Sequence, residues 1–147
     1  MTTRGFTLIE AILAIALLAA GLYGLLYVFE GAVSTSLLAD QSYVATNLAR
    51  ESIETIIARR DCQLSGCGYT NTLSAIQNGS YNATPVSGFT GYNITVTALE
   101  VEPGTTTADT NFTVASPGSG YARLTVVVTF NNGSNSIQLS TLLANYS

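Results

Sequence analysis

Two hydrophobic periodicities divide this chain. Residues 11–29 form an apolar run without a single charge, and from 30 to 60 apolar residues recur every three to four positions as Val33, Leu37, Val44, Leu48, Ile53, Ile56 and Ile57. Asp40, Gln41, Arg50, Glu51 and Glu54 fill the gaps. Such spacing is that of a helix with one apolar stripe, and no proline interrupts it. The pattern predicts one continuous helix over residues 7–60, about 80 Å long at ~1.5 Å per residue. Arg59 and Arg60 suit its C-terminus, as a solvated end favoured by the helix dipole. Gly21, Gly24 and Gly31 are soft points in it. Gly21 and Gly24, with Ala14, Ala16, Ala19 and Ala20, also permit close approach of another helix, a composition that ordinary anchors share.

Beyond residue 61 the period changes to two. Tyr92, Ile94, Val96 and Ala98 alternate with polar residues and share one strand face. Leu99 and Val101 break that phase, which predicts a bulge. The segment ARLTVVVTFNNGSNSIQLSTLLA reads as a hairpin turning on Asn132-Gly133. That turn pairs Val128 with Ile137, Val126 with Leu139, Leu124 with Thr141 and Ala122 with Leu143. Slipping the register by one residue would scatter these apolar pairs over both faces. Residues 68–91, rich in Asn, Ser, Thr and Gly, read as a loop that can hold one short element, and residues 103–120 as a long surface loop. The fold class expected is α+β: a long N-terminal helix packed against a small antiparallel sheet of three strands.

The apolar run itself is about 28 Å long as a helix, close to the ~30 Å of a bilayer's hydrocarbon core. A buried core helix is a poor reading, because the remaining chain is too small and polar to wrap a helix that is apolar all round. A cleaved secretory signal needs a positive start and a 7–15-residue apolar core. Here the run is longer, and Glu10 stands where positive charge belongs. A membrane anchor fits, with Arg4 on the cytoplasmic side. It leaves Glu10 unexplained, since a carboxylate at the edge of such a segment is costly without a partner.

Composition narrows the chemistry. The net charge is −4, with five arginines and no lysine, so a nucleic-acid partner is not expected, as several phosphates require a cluster of cations. There is no histidine and there are two cysteines. One chain therefore cannot build a four-ligand zinc site or a His-based triad, and a Ser–Lys pair is excluded as well. Neither an enzyme, nor a cofactor, nor a metal site is expected. Six Asn-x-Ser/Thr triplets occur, but in so Asn/Ser/Thr-rich a chain they carry no expectation of glycosylation.

The segment Arg4-Gly5-Phe6-Thr7-Leu8-Ile9-Glu10, followed at once by the apolar run, resembles the class III signal of type IV pilins and type II secretion pseudopilins. The resemblance implies the lollipop architecture of type IV pilins. It also implies cleavage between Gly5 and Phe6 by a prepilin peptidase, and N-methylation of Phe6. Glu10 takes the place of the family's assembly glutamate. Residues 1–5 would then be a leader peptide, 6–29 the transmembrane and polymerisation helix, 30–60 its amphipathic half, and 61–147 the globular β domain. The physics of the motif is independent of the family. Cleavage would free an ammonium on Phe6, four residues from Glu10, and a small axial stagger between subunits would bring the carboxylate of one to the ammonium of the next. In an apolar filament core, an unpaired member would cost several kcal/mol. Such a pair sets register more than it adds stability. The alternative reading of Glu10 is a favourable charge at the N-terminus of its own helix.

The longer phrase GLYGLLYVFEGAVSTSLLADQSYVATNLARESIETI and the C-terminal hairpin are similar to PilV-type minor pilins and to I-type minor pseudopilins. The absence of proline in the helix departs from many major pilins. A minor subunit priming or modifying a fibre is thus implied. Its partners would be the bacterial inner membrane, the prepilin peptidase and methylase, other pilins or pseudopilins, and an assembly platform protein. The globular domain would lie outside the cytoplasm, on a single-pass anchor and then on the fibre. There a disulfide between Cys62 and Cys67 is permitted and is expected as a local staple, free or redox-active thiols being the alternative. Two other functions remain open: a surface-binding (adhesin) module using the loop at 103–120 or the Cys62–Cys67 loop, and an anchored extracytoplasmic domain that never polymerises.

Overall fold

Helix α1 spans Leu8–Asp61, within one residue of the expected limits at each end. The structure, a computed structural model, describes residues 7–102, 113–114 and 118–146. Its chain forms two compact units, Met1–Asp40 and Gln41–Ser147. After α1 come α2 (Tyr69–Gln77), β1 (Asn93–Glu102), β2 (Thr113–Val114), β3 (Tyr121–Phe130) and β4 (Asn135–Ala144). The strands form one antiparallel sheet in the order β2-β1-β3-β4. Three strands of ten residues carry it; the two-residue β2, which arises inside the expected long loop, adds a short fourth.

In the second unit the C-terminal part of α1 lies on the sheet. Ala45, Leu48, Ala49 and Ile56 meet Ile94, Val96, Leu124, Val126, Val128, Phe130 and Leu143, with Ile76 of α2 completing the core. Val44, Ile53 and Ile57 flank it half-buried, in line with the apolar stripe. The sequence reading omitted Ala45 and Ala49, both fully buried. Four residues apart, they share one helix face, and their small side chains keep it close to the sheet. Val33 and Leu37, by contrast, lie in the first unit and remain exposed.

The 62–68 segment joins the two helices. Gly68 takes φ +91, a conformation that L side chains rarely adopt, and its N–H donates to the Arg59 carbonyl at 3.2 Å. Helix α2 then buries Thr72, Leu73, Ala75 and Ile76. Thr72 is 1% exposed, and among the described residues its hydroxyl has no hydrogen-bond partner. Replacing it with the isosteric Val removes an unsatisfied buried polar group, so Thr72→Val is expected to raise stability by about 1 kcal/mol. Denaturant unfolding measures this; a lowered midpoint would contradict the orphan hydroxyl.

The hairpin has the expected register: Val128 faces Ile137, Val126 faces Leu139, Leu124 faces Thr141 and Ala122 faces Leu143. The reversal is wider than two residues. The last strand pair is Phe130–Asn135, and Asn131, Asn132 and Gly133 all have positive φ. Two overlapping turn bonds hold it, Gly133 N–H to the Phe130 carbonyl and Ser134 N–H to the Asn131 carbonyl, both at 3.1 Å. Asparagine tolerates this left-handed region better than other non-glycine residues, which is why two can precede the glycine.

The expected bulge near Leu99 is absent. Pairing of β1 with β3 runs without interruption from Asn93–Thr129 to Glu100–Ala122. Alternation is kept instead, so Val101 falls on the face opposite Ile94 and Val96, and Val101 and Glu102 pair with β2. Val101 is fully buried there, while Leu99 stays exposed.

Candidate functional site: the N-terminal helical unit

The first turn of α1 closes on Thr7, whose carbonyl accepts the N–H groups of Glu10 at 3.1 Å and Ala11 at 3.2 Å. Glu10 is therefore in the first turn and exposed. A carboxylate there is favoured by the positive end of the helix dipole, whatever else it meets. Gly5 and Phe6, the expected cleavage and methylation residues, lie outside the described residues, so the pairing of Glu10 with a Phe6 ammonium has no geometry here.

From residue 12 to residue 40 every side chain of this unit is exposed. Leu8, Ile9, Ile12, Leu13, Ile15, Leu17, Leu18, Leu22, Leu25 and Leu26 are each more than half exposed. The helix is long and apolar enough to cross a membrane. An apolar surface of this extent requires a cover of lipid or protein. Around the axis, 3.6 residues per turn places Ala14, Gly21, Gly24, Val28 and Gly31 within about 60° of Glu10. A Cβ added at Gly21, Gly24 or Gly31 would meet nothing within 4 Å. Among the described residues nothing thus calls for glycine at these positions, where each costs about 1 kcal/mol of helix propensity. Tyr23, Tyr27, Glu30 and Ser34 occupy the other side by the same arithmetic. The hydroxyls of Ser34 and Thr35 both donate to the Gly31 carbonyl, at 3.0 and 2.9 Å, which satisfies them without water.

At the far end of α1, Cys62 and Cys67 are joined in a disulfide, with Cα atoms 5.6 Å apart. The bond closes a ring of very few residues, so its effect is at the low end of the usual range. Cys62→Ser is expected to lower stability by about 2 kcal/mol, measured by denaturant unfolding with and without reductant. Reductant should lower the midpoint of the parent chain and leave that of the variant unchanged.

The neighbouring arginines are not both solvated. Arg60 forms an ion pair with Asp61 at 2.7 Å, its side chain 13% exposed, and its guanidinium lies 5.1 Å from the centre of the Tyr146 ring. The hydrogen bond from Arg60 holds the Asp61 carboxyl below its ordinary pKa. Arg59, exposed, reaches over Tyr81 at 5.8 Å. Arg60, Asp61, Cys62, Tyr69, Asn145 and Tyr146 line a cleft of about 320 Å³. Sequence reasoning found neither tyrosine partner. Tyr146 is 86 residues from Arg60, and no local pattern announces so distant a contact. Burial, with Glu100 nearby, pushes the Tyr69 hydroxyl above its ordinary pKa. Among the described residues no three His, Cys, Asp or Glu side chains gather closely enough to hold a metal ion.

No family model, curated protein or solved structure matches this chain.

Proposed function

We propose that the chain is a structural subunit resembling the minor pilins and pseudopilins, anchored by α1 and assembled into a fibre through it. The observation that carries this reading is Glu10, the one charge between residues 7 and 29 of a helix whose apolar surface is bare. A lipid anchor needs neither that carboxylate nor three glycines on its side of the helix. Packing among identical helices uses both: glycines allow close backbone approach, and a carboxylate facing an ammonium sets the axial register. The motif at Arg4–Glu10 supplies the ammonium in this reading, by cleavage behind Gly5. The globular unit then lies outside the cytoplasm, where its disulfide is stable.

Mass spectrometry of the chain recovered from sheared surface fibres tests the proposal. The expected species begins at Phe6, carries one N-methyl group, and lacks the first five residues. A chain retaining Met1 to Gly5, confined to the membrane fraction, would overturn the proposal. It would favour an anchored domain in which Glu10 serves only its own helix.

A further inference from the structure

The two edges of the sheet are treated differently. The outer side of β1 is covered near both of its ends. Ala83 and Ile94 exchange backbone hydrogen bonds at 3.1 and 2.8 Å, and the Val96 N–H donates to Asn82 Oδ1 at 2.8 Å. The Val86 N–H donates to the Tyr92 carbonyl at 2.8 Å, and Val101 and Glu102 pair with β2. Strand β4 is the opposite edge. Among the described residues, nothing pairs with its outer side.

Exposed edges are normally blunted by lysine, proline, bulges or inward charges. The β4 sequence NSIQLSTLLA has none of these, and its ten pairs with β3 run without a bulge. The core also stops short at this edge. Val126 and Val128 of β3 are fully buried, whereas their partners Leu139 and Ile137 are only half-buried. An occupant must therefore be extended, must bring apolar residues in phase beside Ile137 and Leu139, and need carry no charge.

We propose that the occupant is β4 of a second copy, joined antiparallel about a twofold axis at Gln138 into one continuous sheet. In that register Ile137 of each copy faces Leu139 of the other, Ser136 faces Ser140, and Gln138 faces its own equivalent. Only residues of equal parity then pair, so both apolar faces fall on the same side of the joined sheet. The contact covers the two half-buried residues and leaves Leu143, already buried, outside it. No charge on either strand opposes pairing. The contact is isologous, so it closes at two copies and cannot propagate. It requires neither cleavage at Gly5 nor fibre assembly, and its test is separate from theirs.

The test uses the full chain in detergent micelles. The parent chain is expected to sediment as a dimer, and Gln138→Cys to form an intermolecular disulfide on mild oxidation. Thr95→Cys, on the same sheet face but on β1, should not. The double variant Ser136→Lys/Ser140→Lys sets like charges opposite one another at exposed positions and should weaken association at least about tenfold, with the thermal unfolding of the globular unit retained. A monomeric parent chain would overturn the proposal, as would a dimer indifferent to the two lysines, which would place the contact on α1. Equal cross-linking from Thr95→Cys would overturn it as random collision, and so would an edge occupied by a strand of another protein.

Discussion

Glu10→Ala is expected to leave the chain in the membrane fraction and remove it from surface fibres. The size of the loss separates the two roles open to this carboxylate. Unit charges 4 Å apart interact by about 4 kcal/mol at an effective dielectric constant near 20, which is close to a thousandfold in an equilibrium. A carboxylate serving only its own helix dipole contributes about 0.3–1 kcal/mol, less than tenfold. Quantitative immunoblotting of sheared fibres against membranes reads the difference. A deficit of a hundredfold or more supports pairing between subunits. Incorporation within tenfold of the parent chain assigns Glu10 to its own helix. Glu10→Gln should behave as Glu10→Ala does, because shape without charge leaves the ammonium unanswered.

Leu124→Ala is the substitution with the largest expected effect on folding. Leu124 is fully buried at the middle of β3, between Ala98 on β1 and Thr141 on β4. Truncating a buried leucine removes its transfer free energy and leaves a cavity, together worth about 2–5 kcal/mol. The upper half of that range is expected, since a strand paired on both sides cannot collapse into the gap. Against a total stability of about 5–15 kcal/mol for a typical domain, this is a large fraction. Urea unfolding followed by circular dichroism should show the midpoint fall. Leu99→Ala is the control: its side chain is 41% exposed on the opposite face, and it should cost under about 1 kcal/mol.

The hairpin illustrates what could be read in advance and what could not. Alternation excludes a one-residue slip, and the Asn132-Gly133 signal selects among the registers that remain, so strand pairing followed from the two together. The turn did not. Where the ladder ends depends on how far the strands twist together before reversing, and Asn131 joins the left-handed residues beyond the Asn132-Gly133 signal. The break of phase at Leu99 and Val101 was visible but misassigned. An apolar residue on the opposite strand face and a bulge leave the same mark in sequence, and only the unbroken ladder between β1 and β3 distinguishes them.

The candidate site divides in a similar way. Glu10 stood out from the sequence because one charge beside a long apolar run is conspicuous. The glycines were visible too, as soft points and as places where another helix can approach. That an added Cβ would meet none of the described residues there is a property of the folded molecule. Arg60 was expected in solvent. The structure covers it with Tyr146 and ties it to Asp61, contacts that arise because the C-terminal strand returns to the end of α1.

By itself, the sequence determined the elements whose cause is local: the long helix, from uninterrupted three-to-four periodicity, and the paired strands, from alternation and a turn dipeptide. It also marked Glu10 and the close spacing of Cys62 and Cys67. The tertiary structure alone decided which small residues face the sheet, where β1 exchanges one neighbour for another, and which edge the described residues cover and which they leave bare. Those outcomes depend on contacts between residues far apart in the chain, whose free energy comes from burial and backbone pairing once the elements have met, and a one-dimensional pattern does not record them.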